Sequence, residues 1–201
     1  MLDTRLSVPT IIYLHGFNSS PQSAKGCILA RAAAALADPP RFHQPQLHHR
    51  PAQAMRDVCA WIDHDAPEGR DLTFIGSSLG GFYATWLAEK YGARAVLINP
   101  AIRPYEDLRP FLGRQRNLYT DEEYEVTPAH FEELGAIKVP RITRPERYFL
   151  LVRAGDELLD WHEAAAFYAG AFQYVAGGGD HGWTDFEDEV GSVLRFAGCN
   201  A

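Results

Sequence analysis

Residues 71–87, Asp71-Leu72-Thr73-Phe74-Ile75-Gly76-Ser77-Ser78-Leu79-Gly80-Gly81-Phe82-Tyr83-Ala84-Thr85-Trp86-Leu87, limit what this chain can fold into more than any other stretch. The first half is a short apolar run of β-formers, the pattern of a buried strand. The second half carries Leu79, Phe82, Tyr83, Trp86 and Leu87 at helical spacing. Between them Gly76-Ser77-Ser78-Leu79-Gly80 matches G-x-S-x-G, which forms a sharp strand-to-helix turn with a serine at its tip. The spacing has a steric cause. Chain must pass close on both sides of the serine, and glycines two residues before and after remove the side chains that would collide. Ser78 is therefore the candidate nucleophile, and Ser77 at the x position faces away. The turn also aims the first free N–H of the following helix, that of Leu79, at an oxyanion forming there. The competing reading of the pentapeptide is an ordinary glycine-rich turn that cradles an anion.

The rest of the chain favours a soluble globular protein. Its 201 residues fit one domain, 1–201, large enough to bury a core without staples. Net charge is −7 with no run of Lys or Arg, which argues against a nucleic-acid surface. The three cysteines, Cys27, Cys59 and Cys199, form no spaced pair and read as free thiols of a reducing compartment. Met1 to Pro9 holds no apolar signal core, and no apolar stretch approaches membrane-spanning length, so a cytoplasmic protein without a membrane partner is expected.

Thr10-Ile11-Ile12-Tyr13-Leu14 reads as a strand running into His15-Gly16-Phe17-Asn18-Ser19-Ser20-Pro21. The His-Gly pair permits close approach of backbone to a reacting centre, with the Phe17 N–H as a second oxyanion donor. The His15 ring is expected to hold the loop rather than to react. An Ala-rich helix then runs to about Ala37, with Cys27, Ile28 and Leu36 inward, and Asp38-Pro39-Pro40 ends it. Arg41 to Leu47 reads as an edge strand weakened by Pro45. His48 and His49 are adjacent and lack a third ligand at useful spacing, so no metal is expected. Pro51 opens a helix to about Asp65 with Met55, Val58, Cys59 and Ile62 as its stripe, and Asp63-His64-Asp65 reads as a solvated last turn. After the organising stretch closes at Tyr91-Gly92, Ala93 to Ile98 is another strand, ended by Asn99-Pro100. Strand and helix thus alternate, which argues for a parallel, doubly wound sheet.

Residues from about 101 to 144 break that rhythm with short helical pieces, Tyr105 to Leu112 and Thr127 to Ile137, joined by a polar link, Asn117 to Tyr124. An insertion there lies over the carboxyl ends of the strands, where ligands bind. It reads as a small helical cap, with Phe111, Leu112, Leu118 and Tyr119 as candidate walls of an acyl pocket and Trp183 assigned with them. For each of the four cap residues, packing the cap onto the body is at least as good an explanation.

Arg147 to Arg153 is a strong strand ending in Ala154-Gly155-Asp156-Glu157. Asp156 stands at the sheet's carboxyl edge, where it can orient a histidine; Glu157 points away; Asp160 caps the next helix, with Glu163 completing a capping box. A strand over Gln173 to Ala176 leads to Gly177-Gly178-Gly179-Asp180-His181-Gly182, and a last helix runs from about Thr184 to Phe196. This glycine run formally matches a dinucleotide fingerprint, but too little chain follows for the second strand and ribose-binding acid, so no cofactor is expected. The glycines suit a loop that places His181.

Ser78, Asp156 and His181 follow the chain order of an α/β-hydrolase triad, each after a strand. In that reading Ser78 attacks an acyl carbonyl, His181 moves the proton, Asp156 fixes the imidazole, and the N–H groups of Leu79 and Phe17 bind the oxyanion. With Tyr13 to Pro21, Gly76 to Leu87, Asn99-Pro100-Ala101, Ala154 to Glu157 with Leu159-Asp160, and Gly178 to His181 as landmarks, the sequence closely resembles the YqiA/YcfP-type bacterial esterases, a branch of the α/β-hydrolase superfamily. The resemblance implies a mainly parallel, doubly wound six-stranded sheet with helices on both faces and a small helical cap. It also implies a serine hydrolase of short acyl esters with Ser78, Asp156 and His181 as its triad, or an acyl-CoA thioesterase using the same residues. Asp180 departs from that pattern, where Asn is expected, and its charge would raise the pKa of His181. The alternative from another class is a non-catalytic hydrolase-fold protein that binds a small ligand or partner. Acyl-chain length and oligomeric state are not legible.

Overall fold

The computed structural model describes residues 8–66 and 71–200, so most of the stretch read for a signal segment lies outside the described residues. In chain order the elements are β1 (Thr10–Leu14), α1 (Ala24–Ala34), β2 (Arg41–His43), α2 (Pro51–Asp65), β3 (Leu72–Ser77), α3 (Leu79–Tyr91) and β4 (Arg94–Ile98). The cap follows: α4 (Pro104–Asp107), β5 (Gly113–Arg116), β6 (Glu123–Val126) and α5 (Pro128–Ala136). The chain closes with β7 (Tyr148–Arg153), α6 (Trp161–Phe167), β8 (Phe172–Ala176) and α7 (Val190–Phe196).

Six strands form one sheet in the order β2-β1-β3-β4-β7-β8, and every neighbouring pair is parallel. Buried on both faces, these strands are near-continuous apolar runs, as parallel sheets require. Alternate residues serve opposite cores. Ile12, Leu14, Phe74, Leu97 and Leu150 pack with Met55, Val58 and Ile62 of α2, Phe82 and Leu87 of α3, and Ala164 of α6. Ile11, Tyr13, Ile75, Val96 and Leu151 pack with Leu29 and Ala33 of α1 and with Val190, Val193 and Leu194 of α7. Each fully buried Ile, Leu or Phe contributes about 1.5–3 kcal/mol, so two such layers fix which way every strand faces. Helix α3 ends where the sequence placed its stop, at left-handed Gly92 (φ 66°). The fold is that of an α/β-hydrolase.

Several local expectations change. Helix α1 fully buries Gly26, Leu29 and Ala33; Ile28 and, beyond its end, Leu36 pack partly buried against the same core as expected, whereas Cys27 is exposed. In an Ala-rich helix the apolar pattern is weak, and a close approach sets the phase: a Cβ on Gly26 would lie 2.6 Å from the Pro21 carbonyl oxygen and 2.9 Å from the Tyr13 ring. The edge strand β2 stops at His43, two residues before Pro45. The polar link at 117–124 contains the turn of an antiparallel hairpin, in which Gly113 pairs with Val126 and Arg116 with Glu123. The cap is thus part hairpin, not only helical. Glu163 does not complete the cap of α6. Asp160 accepts from His162 N–H, while Glu163 pairs with Arg103 of the cap at 2.5 Å. The last helix begins with a 3-10 turn at Phe186–Glu189, so the α-helix proper starts at Val190. Among the described residues, no helix is long and apolar enough to cross a membrane.

Candidate active site

Five neighbouring strand ends supply the candidate site: Phe17 follows β1, Ser78 follows β3, Asn99 follows β4, Asp156 follows β7 and His181 follows β8. Because adjacent strands lie about 4.8 Å apart, residues remote in sequence meet at one rim.

Ser78 sits at φ 56°, ψ −122°, a backbone region that non-glycine residues rarely adopt and that costs on the order of 1–3 kcal/mol. The surroundings hold it there. Its N–H donates to the Ile98 carbonyl (3.1 Å), and its own carbonyl accepts from Gly81 N–H (2.9 Å) and Ala101 N–H (3.1 Å). A Cβ on Gly76 would fall on the Gly80 carbonyl, and one on Gly80 on the Leu14 carbonyl, so both glycines are sterically required. Gly16 passes beside the serine, where a Cβ in place of its hydrogen would lie 3.2 Å from Ser78 Cβ. Neither Phe17 nor Leu79 gives its N–H to a backbone carbonyl among the described residues.

The His15 ring holds this loop. Nδ1 bonds to the Gly16 carbonyl (2.9 Å), and Nε2 accepts from Leu47 N–H (3.1 Å). Those two partners select the neutral tautomer with its proton on Nδ1. Burial pulls the His15 pKa below the ordinary value, against the opposing pull of the Gly16 carbonyl.

His181 Nδ1 lies 2.7 Å from Asp156 Oδ2. The other carboxylate oxygen of Asp156 accepts from Leu158 N–H and Leu159 N–H, both at 2.9 Å. Burial opposes ionisation of Asp156, whose side chain is 2% exposed. The His181 bond and the two N–H donors outweigh it and hold the carboxyl below its usual range. An ionised acceptor at Nδ1 keeps that nitrogen protonated and leaves Nε2 with its lone pair free.

Ser78 and His181 line one apolar cavity of about 230 Å³, with Phe17, Leu79, Ala101, Pro104, Leu108, Phe111, Leu158 and Leu159 as walls and Asp107 as its one carboxylate. Of the residues expected to wall an acyl pocket, Phe111 is there, its ring 5.4 Å from that of Phe17. The others are corrected. Leu112 lines a separate groove on the cap with Tyr105, Arg109 and Phe131. Leu118 is 81% exposed and Tyr119 51%, both on the turn of the hairpin and outside the cavity's walls. Trp183 is 2% exposed and belongs to the core under α7, because the chain reverses at its φ of 56°. Its ring packs edge-on against Phe186 and under the Arg153 guanidinium, 4.6 Å from the ring centre.

Three contributors escape sequence reasoning. Buried Asn99, at φ 41°, donates from Nδ2 to the carbonyls of His181 (3.1 Å) and Asp180 (3.3 Å), and accepts Arg153 N–H at Oδ1 (2.9 Å). It therefore ties the strand carrying Asp156 to the loop carrying His181. An Asn directly after a strand and before Pro is the available signal, since Asn tolerates left-handed backbone. Glu157, expected to point away, accepts His181 N–H at 3.0 Å. Lys25 of α1 donates to the Gly182 carbonyl at 2.6 Å. Asp180, for its part, bonds Thr184 Oγ1 at 2.8 Å. His49 Nδ1 meets His130 Nε2 of the cap at 3.2 Å, yet among the described residues no group of three His, Cys, Asp or Glu side chains is arranged to hold a metal.

Similar solved structures share this fold. A putative hydrolase from Agrobacterium vitis S4 superposes with a TM-score of 0.73 at 21% identity, over 94% of this chain and 87% of that one. Alpha/beta hydrolase domain-containing protein 10 from mouse gives 0.67 at 17% identity, over 94% and 90%. A structure described under LipS and LipT, two metagenome-derived lipolytic enzymes, gives 0.67 at 22%, over 95% and 94%. The sequence pattern of the uncharacterised protein family UPF0227 matches residues 10–198, nearly the whole described chain. The chain therefore belongs to UPF0227, the YqiA/YcfP family.

Proposed function

We propose that this protein is a serine hydrolase that cleaves carboxylic esters of short acyl chains through an acyl-enzyme. The observation that carries the reading is the 2.7 Å contact between His181 Nδ1 and Asp156 Oδ2 beside an apolar cavity that Ser78 and His181 both line. Ser78 Oγ attacks the acyl carbon while His181 Nε2 takes its proton. The tetrahedral oxyanion is held by the N–H groups of Phe17 and Leu79, each such donor worth about 3 kcal/mol of barrier. As the intermediate collapses, His181 returns the proton to the departing alkoxide. Water then attacks the Ser78 acyl ester by the same route, releasing the acid and restoring the serine. Asp156 stays ionised throughout and stabilises the imidazolium.

The cavity supports a short acyl group: at about 230 Å³ it is smaller than the 300–1,000 Å³ common for drug-sized ligands, and its lining is mainly apolar. Esterases and lipolytic enzymes among the similar structures are consistent with this chemistry. The free thiols of Cys27, Cys59 and Cys199 support action in a reducing compartment such as the cytoplasm. The test is fluorophosphonate labelling with an acyl-chain series of matched oxygen and thiol esters. Ser78 is expected to carry the label, and Ser78→Ala to lose kcat by about 10⁵–10⁶-fold. Full activity in Ser78→Ala rules the proposal out.

A further inference from the structure

Residues 177–183 carry His181 without regular secondary structure and contain four glycines, two of them at positive φ, so the loop does not hold its own shape. Besides the Gly155 N–H to Gly178 carbonyl bond (3.0 Å), the Trp183 N–H to Asp180 carbonyl bond (3.2 Å) and the His181–Asp156 contact, three side chains from outside the loop hold the backbone around His181. Asn99 binds the carbonyls of Asp180 and His181, Glu157 binds the His181 N–H, and Lys25 binds the Gly182 carbonyl at 2.6 Å. The first is an uncharged amide and the second a carboxylate, whereas Lys25 is an amine. It is half-buried in the first turn of α1, on the face of the sheet that α1 shares with α7. The charged groups acting on it are carboxylates: Asp180 of the histidine loop and Asp156 at the end of β7.

We propose that Lys25 is a positioning residue for His181: its ammonium, donating to the Gly182 carbonyl, keeps the imidazole in register with Asp156, and loss of that proton loosens the loop. This rests on the triad reading above. An ionised donor makes a hydrogen bond roughly twice as strong as a neutral one, so the tether weakens when the amine loses its charge. Burial brings the Lys25 pKa down to about 8, with Asp180 and Asp156 resisting that shift. Asp180 thus faces a cation of its own.

Activity is then expected to fall as pH rises through about 8, because the tether is at full strength only while Lys25 is protonated. The experiment is the pH dependence of kcat and KM on a short-chain ester for wild type, Lys25→Met and Lys25→Arg, with Ser78 labelling by fluorophosphonate alongside. Lys25→Met keeps the stem and removes the charge. Its kcat should drop roughly ten- to hundredfold with KM little changed, the scale expected of a misplaced catalytic group, and its alkaline limb should vanish. Lys25→Arg should restore kcat and carry the limb beyond the range studied, since guanidinium stays protonated. A merely structural lysine would move stability and not the limb. Wild-type kcat in Lys25→Met, or an alkaline limb that persists in it, overturns the inference. If Lys25→Met does not fold, a flat wild-type profile to about pH 10, or an unmoved limb in Lys25→Arg, overturns it equally. Failure of Ser78 to label overturns the triad reading itself, whereas a labelled Ser78 with any of the preceding results removes only the role of Lys25.

Discussion

At the carboxyl ends of β1, β3, β4 and β7, position is set by main chain: parallel ladders fix the strands, and bonds such as Ser78 N–H to Ile98 and Asn99 N–H to Leu151 carry that order past their ends. The cap is fastened otherwise. Its hairpin and α5 meet the body mainly through side chains: Asn18 with Gln115 and Tyr124, Asn117 with the Ser19 carbonyl, His49 with His130, and Arg50 with Glu133. Backbone ladders tolerate no change of register, while side-chain seams shift with single substitutions or with protonation. The turn that carries Ser78 lies on the ladder-held part, while the cavity that Ser78 lines is walled in part by the cap, through Pro104, Leu108 and Phe111.

The sharpest break of this contrast is Asp156→Asn, which preserves shape but lets the imidazole take the wrong tautomer. Expected is a loss of about 10⁴-fold in kcat with little change in melting temperature, read by steady-state kinetics and calorimetry. Next comes Gly80→Ala. Its methyl would fall on the Leu14 carbonyl, and neither backbone has room to move, so the protein should lose several kcal/mol or fail to fold, as a denaturant titration would record.

Mild acid should separate the two regions by a smaller amount. His130 in the cap seam is held below the ordinary histidine pKa, first by burial and then by Arg50, and His49 is lowered first by burial and then by His48. A group with a depressed histidine pKa binds protons more readily unfolded, so stability is complete above about pH 6.5 and falls as pH drops below it, towards the lower folded value. His15 contributes in the same direction from the body. Hydrogen exchange followed from about pH 7 down to about pH 5 should show α5 and the hairpin opening before β1 and β3. The smallest effect is the cap counterpart of Gly80. A Cβ on Gly135 in α5 meets nothing within 4 Å, and Gly135→Ala should stabilise by about 0.5–1 kcal/mol, measured by the shift in a urea unfolding midpoint.

Legibility in the sequence divides along the same line. The main-sheet strands are readable as β-branched or aromatic runs with turn residues behind them, and the pentapeptide around Ser78 announces its own geometry. The hairpin is not readable. Burial alternates along both strands, but the inward face of β5 carries Gly113 and Gln115 rather than apolar side chains, and the alternation in Glu123-Tyr124-Glu125-Val126 spans only four residues, too short a signal beside the charges around it. Trp183 is misassigned from sequence because adjacency to His181 says nothing about direction where the chain reverses. Asn99, Glu157 and Lys25 act through hydrogen bonds across long sequence separations, which no local pattern encodes.

Asn18, at φ 50°, directly follows Phe17, and its amide is gripped by Gln115 and Tyr124 while its carbonyl accepts Leu118 N–H at 3.4 Å. One end of the peptide segment that carries Phe17 is thus suspended from the hairpin and the other from β1. In the proposed hydrolase, a transplanted cap would retune turnover together with selectivity, and a ligand that tugs the hairpin would be felt at the bond being broken.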